Sequence, residues 1–160
     1  MEDFENSFRS VSIYVDKDRN LIGIPCGLSE KFGVADIDTV LRLKAPYEDT
    51  RIESFIEEVL DACYTKRHND ESDYSTIEKF TRKKGFANAA RDYTLITVVK
   101  EKDGGYSIMP TFNDYERGPI VIDDDEVLLP ENYAKGELAG IMLNMFRIYC
   151  GANEEALKME

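Results

Sequence analysis

The densest group of reactive side chains in this 160-residue chain is the run Asp123-Asp124-Asp125-Glu126, and a second acidic pair, Asp114 and Glu116, brackets Tyr115. Carboxylates in such numbers could hold a cation, share acid–base work, or meet a basic partner. A calcium loop needs alternating oxygen ligands, a glycine at the sharp turn and a distant bidentate glutamate, and the run lacks that spacing. A paired-carboxylate active site needs acids held across a cleft, which neighbours in one turn do not supply. The plainest reading is a solvated hairpin loop between strands at 119–122 and 127–129. Beyond it stands a footprint for a basic protein, in which Tyr115 would be an aromatic anchor inside a charged rim. Tyr115 could equally pack on its own domain.

Other chemistry is sparse. His68, the one histidine, lies in the polar stretch 66–74, and no GxSxG or comparable nucleophile motif accompanies it. Gly104-Gly105 reads as a turn, because neither GxxxxGK[ST] nor GxGxxG surrounds it. Lys79, Arg82, Lys83 and Lys84 form the one basic cluster. A nucleic-acid site would set such a cluster in a basic domain with aromatics on the same face. Here internal salt bridges to surplus carboxylates are the better expectation, with Phe80 and Phe86 as core anchors. Cys26, Cys63 and Cys150 form no CxxC pair, which argues against a zinc site or a disulfide framework. No catalytic residue, metal or cofactor is expected.

Charge explains the emphasis on acids. The chain carries 20 Lys and Arg against 32 Asp and Glu, a formal net charge of −12. Such a protein repels the phosphate backbone, so DNA and RNA are poor partners and a basic protein is a better one. The surplus is uneven: residues 111–160 hold 4 basic and 11 acidic side chains, net −7. Apolar residues at 42% rule out disorder as the default. The acidic N-terminus has no signal-peptide pattern and no apolar run is long enough to span a membrane, so the cytoplasm is the expected location.

The elements that must position these residues follow from hydrophobic periodicity. Ser10–Val15 and Leu21–Pro25 read as a hairpin, ended by Pro25 because proline cannot donate to a ladder. Residues 36–43 could be a short helix or a strand. Thr50-Arg-Ile-Glu53 has capping-box spacing, and Ile52, Phe55, Ile56, Val59, Leu60 and Cys63 then recur on one helical face. Ser75-Thr-Ile-Glu78 repeats the spacing before a short basic helix, and residues 86–92 form another. Tyr93–Val99 and Tyr106–Met109 flank the Lys102–Gly105 turn as a second hairpin. A last helix spans roughly Tyr133 to Cys150. No internal repeat is evident. The expected fold is α+β, a single domain over 1–160 with a largely antiparallel sheet flanked by helices and the C-terminal helix packed on it.

The order of several segments resembles the immunity proteins of bacterial contact-dependent growth inhibition systems, the CdiI-like proteins. The segments are Thr76-Ile-Glu-Lys-Phe80, Gly85-Phe-Ala-Asn-Ala-Ala90, the strand 93–100, Tyr106-Ser-Ile-Met-Pro-Thr111, Val127-Leu-Leu-Pro130 and Gly136-Glu-Leu-Ala-Gly140. Phe8-Arg-Ser-Val11 and Ile22-Gly-Ile-Pro25 fit the same order, whereas Phe86 stands where a tryptophan is frequent. The resemblance implies a cytoplasmic, non-catalytic binder that neutralises the C-terminal toxin domain delivered by a neighbouring cell, often a nuclease. The residues put forward for toxin contact, Asp114, Tyr115, Glu116, Asp123, Asp124, Asp125 and Glu126, come from the charge pattern and not from the family. A small carboxylate-based or metal-dependent enzyme and an acidic adaptor for a basic protein remain open as alternatives.

Overall fold

The computed structural model describes residues 7–150. Two long antiparallel hairpins form the centre of the fold. β1 (Phe8–Asp16) turns into β2 (Leu21–Ser29), and β5 (Tyr93–Glu101) turns into β6 (Tyr106–Asp114). Asp16 closes the first turn by accepting the backbone N–H groups of Asp18 and Asn20, both at 2.9 Å. Asp103 does the same in the second, accepting from Gly105 N–H at 2.8 Å. The hairpins join along β1 and β5, in register from Phe8 opposite Glu101 to Asp16 opposite Tyr93.

Each outer edge is a broken strand. On β2 lie β3 (Gly33–Asp36) and then β4 (Leu41–Leu43); on β6 lie β7 (Gly118–Val121) and then β8 (Val127–Leu129). The path across the sheet is β3-β2-β1-β5-β6-β7, with β4 beside β2 and β8 beside β6. The breaks fall opposite Pro25 and Pro110. A strand residue points its N and its C=O to the same side. Each proline therefore turns its missing donor toward the gap and uses only its carbonyl, which accepts Ile37 N–H at 3.1 Å and Ile122 N–H at 3.0 Å respectively. This is why β2 runs on through Pro25 to Ser29 instead of stopping there.

The two halves are the same arrangement twice. Phe8–Asp16 and Tyr93–Glu101, Leu21–Ser29 and Tyr106–Asp114, and Gly33–Asp36 and Gly118–Val121 are pairs of equal length at one constant offset. Pro25 matches Pro110, Ile37 matches Ile122, and Gly33 and Gly118 begin the edge strands at φ 81° and 82°, a region favouring glycine. A 13-residue helix follows each half, α1 (Asp49–Asp61) and α4 (Glu137–Tyr149). The short helices α2 (Thr76–Thr81) and α3 (Phe86–Ala90) stand between the halves. The repeat escaped the sequence because few side chains coincide.

α1 and α4 pack on one face of the sheet. The apolar stripe expected of α1, with Leu138, Met142, Met145, Phe146 and Tyr149 of α4, meets Val11, Ile13, Ile96, Val98 and Ile108 in the main core. Helix α1 approaches so closely that a Cβ at Gly23 would meet Val59 Cγ2 at 2.5 Å. α2 and α3 cover the other face over a smaller cluster of Tyr14, Ile22, Ile24, Ile77, Ala89, Ala90 and Leu95. Helices on both faces explain why β2 is buried almost throughout, at roughly 1.5–3 kcal/mol for each large side chain. The fold is α+β with the C-terminal helix on the sheet, as expected.

The capping boxes divide. Ser75 and Glu78 form theirs: the Ser75 side chain accepts Glu78 N–H, and Glu78 accepts Ser75 N–H at 3.1 Å. Thr50 and Glu53 do not. α1 begins two residues earlier than that box requires, after Glu48, without a side-chain cap, and Glu53 lies inside the helix. Its carboxylate instead reaches α4, accepting the N–H groups of Gly136 at 3.0 Å and Ala139 at 2.9 Å.

Candidate functional site

The expected partner-binding residues share one edge. Asp114, Tyr115 and Glu116 make the β6–β7 turn, and Asp123–Asp125 form a single 3-10 turn in the break between β7 and β8. β7, with Arg117 before it and Ile122 after it, separates the groups; its four residues alone span roughly 13 Å at ~3.3 Å per residue. The acidic run is therefore not a hairpin loop. β7 and β8 do not pair with each other; both pair with β6, and the run bridges them along one interrupted strand.

The seven side chains divide by what they already hold. Asp114 fastens its own turn: it accepts the backbone N–H of Arg117 at 2.8 Å and of Glu116 at 3.0 Å, and the Arg117 guanidinium lies 3.5 Å away. Those donors, Arg117 N–H foremost, hold its carboxyl below the usual carboxylate range. Asp125 accepts the Tyr149 hydroxyl at 2.5 Å, tying the turn to α4. Glu126 accepts the Ser107 hydroxyl at 2.8 Å, tying it to β6. Glu116, Asp123 and Asp124 are exposed and make no side-chain hydrogen bond or ion pair among the described residues.

Tyr115 is 78% exposed, so it does not pack into its own domain. Among the described residues Arg91 supports it, with the guanidinium carbon 4.6 Å from the ring centroid and Nη2 3.5 Å from the Tyr115 carbonyl oxygen. Asn113 fixes this corner by donating from Nδ2 to the Tyr93 carbonyl at 2.6 Å. Val121 and Leu128 on the same edge are 42% and 72% exposed, and Phe86 beside Gly118 is 37% exposed. Phe86 is thus a surface residue at the α3–β7 junction and not the core anchor expected of it. Phe80 is partly buried against the smaller core, with Arg42 4.6 Å from its ring centroid. Exposed apolar side chains interleaved with carboxylates are what the edge offers a partner.

The matching break in the other half is already occupied. There Asp38 follows Ile37 as Asp123 follows Ile122, and Asp38 receives Lys79 of α2 at 2.9 Å while Ile37 O accepts the Thr76 hydroxyl at 3.0 Å. Lys83 pairs with Asp92 at 2.9 Å. Two members of the basic cluster are thus spent on internal ion pairs.

Sites for other chemistry are thin. A cleft of about 790 Å³ lies beside the β1–β2 turn and mixes Asp16, Asp18 and Asp92 with Lys17, Arg19 and Arg91. Burial raises one carboxyl, Asp36, to about 6, with His68 opposing the shift, and Asp36 does not line that cleft. His68 shares a hydrogen bond with the Asp36 carbonyl and lies 3.9 Å from Asp70, in the segment that straps β3. Among the described residues no three His, Cys, Asp or Glu side chains are grouped to hold a metal ion, and no helix is long and apolar enough to cross a membrane.

The architecture defines a class of α+β fold with known structural counterparts. No protein-family model and no curated protein sequence matches the chain. Among solved structures, a protein of unknown function from Neisseria meningitidis superposes with a TM-score of 0.66 at 12% identity, over 90% of this chain and 96% of that one. A chain of the CdiA-CT/CdiI toxin and immunity complex from Yersinia pseudotuberculosis superposes with a TM-score of 0.54 at 10% identity, over 90% and 97%. At these identities the likeness is one of fold.

Proposed function

We propose that this chain is an immunity protein of a contact-dependent growth inhibition system. It binds the C-terminal toxin domain, a nuclease, in the cytoplasm and covers its basic active-site cleft with the β7–β8 edge. The observation that carries the reading is the contrast between the two broken edges. Asp38 holds a lysine of its own chain, while Asp123 and Asp124 present the same chemistry to solvent on the edge that also exposes Tyr115, Val121 and Leu128. A carboxylate rim attracts a cation-lined cleft and speeds encounter, and the apolar side chains within it give residence time. The shared fold with a chain of a toxin and immunity complex supports the reading. The contacts require no cofactor and no catalytic residue.

Coexpression with the C-terminal domain of the large secreted protein expected to be encoded beside its gene tests the proposal. Cells making the toxin domain should survive only when this chain is made with it, and the two chains should copurify. Death of coexpressing cells with both proteins folded and present overturns it.

A further inference from the structure

Cys26 and Cys63 stand far apart in sequence and meet in the fold. Tyr64 N–H donates to the Cys26 carbonyl at 2.8 Å, which lays the end of α1 alongside β2. Both sulfurs converge on one residue: Ser10 N–H donates to Cys26 Sγ at 3.4 Å, and Cys63 Sγ lies 3.5 Å from the Ser10 carbonyl oxygen. The two thiols also hydrogen-bond each other. Cys150, the remaining free thiol, lies against the Asp16 carbonyl at 3.5 Å, with neither of the other cysteines beside it. A disulfide spans Cα atoms ~4.4–6.8 Å apart, so it requires backbones laid side by side, as the end of α1 and β2 are.

We propose that Cys26 and Cys63 are a redox pair which a small peroxide converts into a reversible disulfide joining β2 to the end of α1. Cys26 is the nucleophile: the hydrogen bond from Cys63, with help from Ser10 N–H and Tyr64, brings its thiol down to about 7 against the opposing effect of burial. Donating that bond and burial push Cys63 up, so it stays protonated until its partner has reacted. The Cys26 thiolate attacks one peroxide oxygen, the O–O bond breaks, and the leaving hydroxide takes a proton to become water. Cys26 is then a sulfenic acid. Cys63 Sγ attacks that sulfur, the S–O bond breaks as the S–S bond forms, and the Cys63 proton departs with the hydroxyl as a second water. The two thiols together lose two electrons and the peroxide gains them. Both cysteines are nearly buried, at 3% and 5% exposure, so a peroxide little larger than water enters on local opening, whereas bulky disulfides are excluded.

The test treats the native full chain, freed of reductant, with hydrogen peroxide at pH 8. The intact mass should fall by two hydrogen atoms. Free thiols should drop from three to one. Peptide mapping should find Cys26 joined to Cys63, and dithiothreitol should restore the starting mass. The Cys150→Ser variant should lose the same two hydrogen atoms, its free thiols falling from two to none. Three persisting thiols, a crosslink through Cys150, or overoxidation of Cys26 without a crosslink would each overturn the proposal.

Discussion

The Arg91 guanidinium lies 4.6 Å from the centroid of the Tyr115 ring, between the end of α3 and the β6–β7 turn. It holds in place an aromatic side chain that is otherwise surrounded by solvent. An ordered exposed tyrosine loses less entropy on docking than a free one, so under the proposed function Arg91 would prepare the edge for its partner.

Tyr115→Ala should weaken binding of the toxin domain by about 2 kcal/mol, in the range of an interfacial anchor. Arg91→Ala should cost about 1 kcal/mol by freeing the ring. Neither should shift the melting temperature appreciably, since the pair packs on little else. Calorimetric titration and thermal melts check both statements.

Glu53 and Ala139 link the two long helices. Glu53→Ala strips the donors of Gly136 and Ala139 of their acceptor, a loss of about 1–2 kcal/mol typical of a removed helix cap. The melting temperature should fall by about 4 °C, and Glu53→Gln, which keeps one acceptor oxygen, should lose less. Equal losses for both variants would place the effect in the charge.

Asp36 makes the fold sensitive to acid in an uncommon direction. Burial raises its carboxyl from 3.8 to about 6, so the folded state holds a proton that the unfolded state releases. Its contribution is therefore fully favourable below the unfolded value and is lost as pH climbs from about 4 through 6. Asp36→Asn should stabilise the protein at pH 7 by on the order of 2 kcal/mol and leave pH 4 nearly unchanged. Denaturant melts at both pH values measure the difference.

What could be read from the sequence was local. The periodic stripe from Ile52 to Cys63, the Ser75–Glu78 capping box and the β5–β6 hairpin each follow from residues close together in the chain, and each formed. Long-range partners decided the rest. Glu53 has capping spacing with Thr50, yet three-dimensional proximity gives it to α4. Pro25 ends a strand only where an edge partner needs its N–H, and the break between β3 and β4 removes that need. The acidic residues were visible as a run. That Asp125 and Glu126 are tied to Tyr149 and Ser107 while Asp123 and Asp124 are free could not be read without the fold. Part of the surplus charge, including Glu154, Glu155 and Glu160, lies outside the described residues.

Docking through the acidic edge is tested most directly by association kinetics with the toxin domain across a salt series. The double variant Asp123→Asn, Asp124→Asn removes two carboxylates that support no internal bond among the described residues. Association should slow by about tenfold at low salt, with a flatter dependence on ionic strength and a nearly unchanged dissociation rate. An unaltered association rate and salt slope, in a variant that remains folded, would contradict docking through this edge.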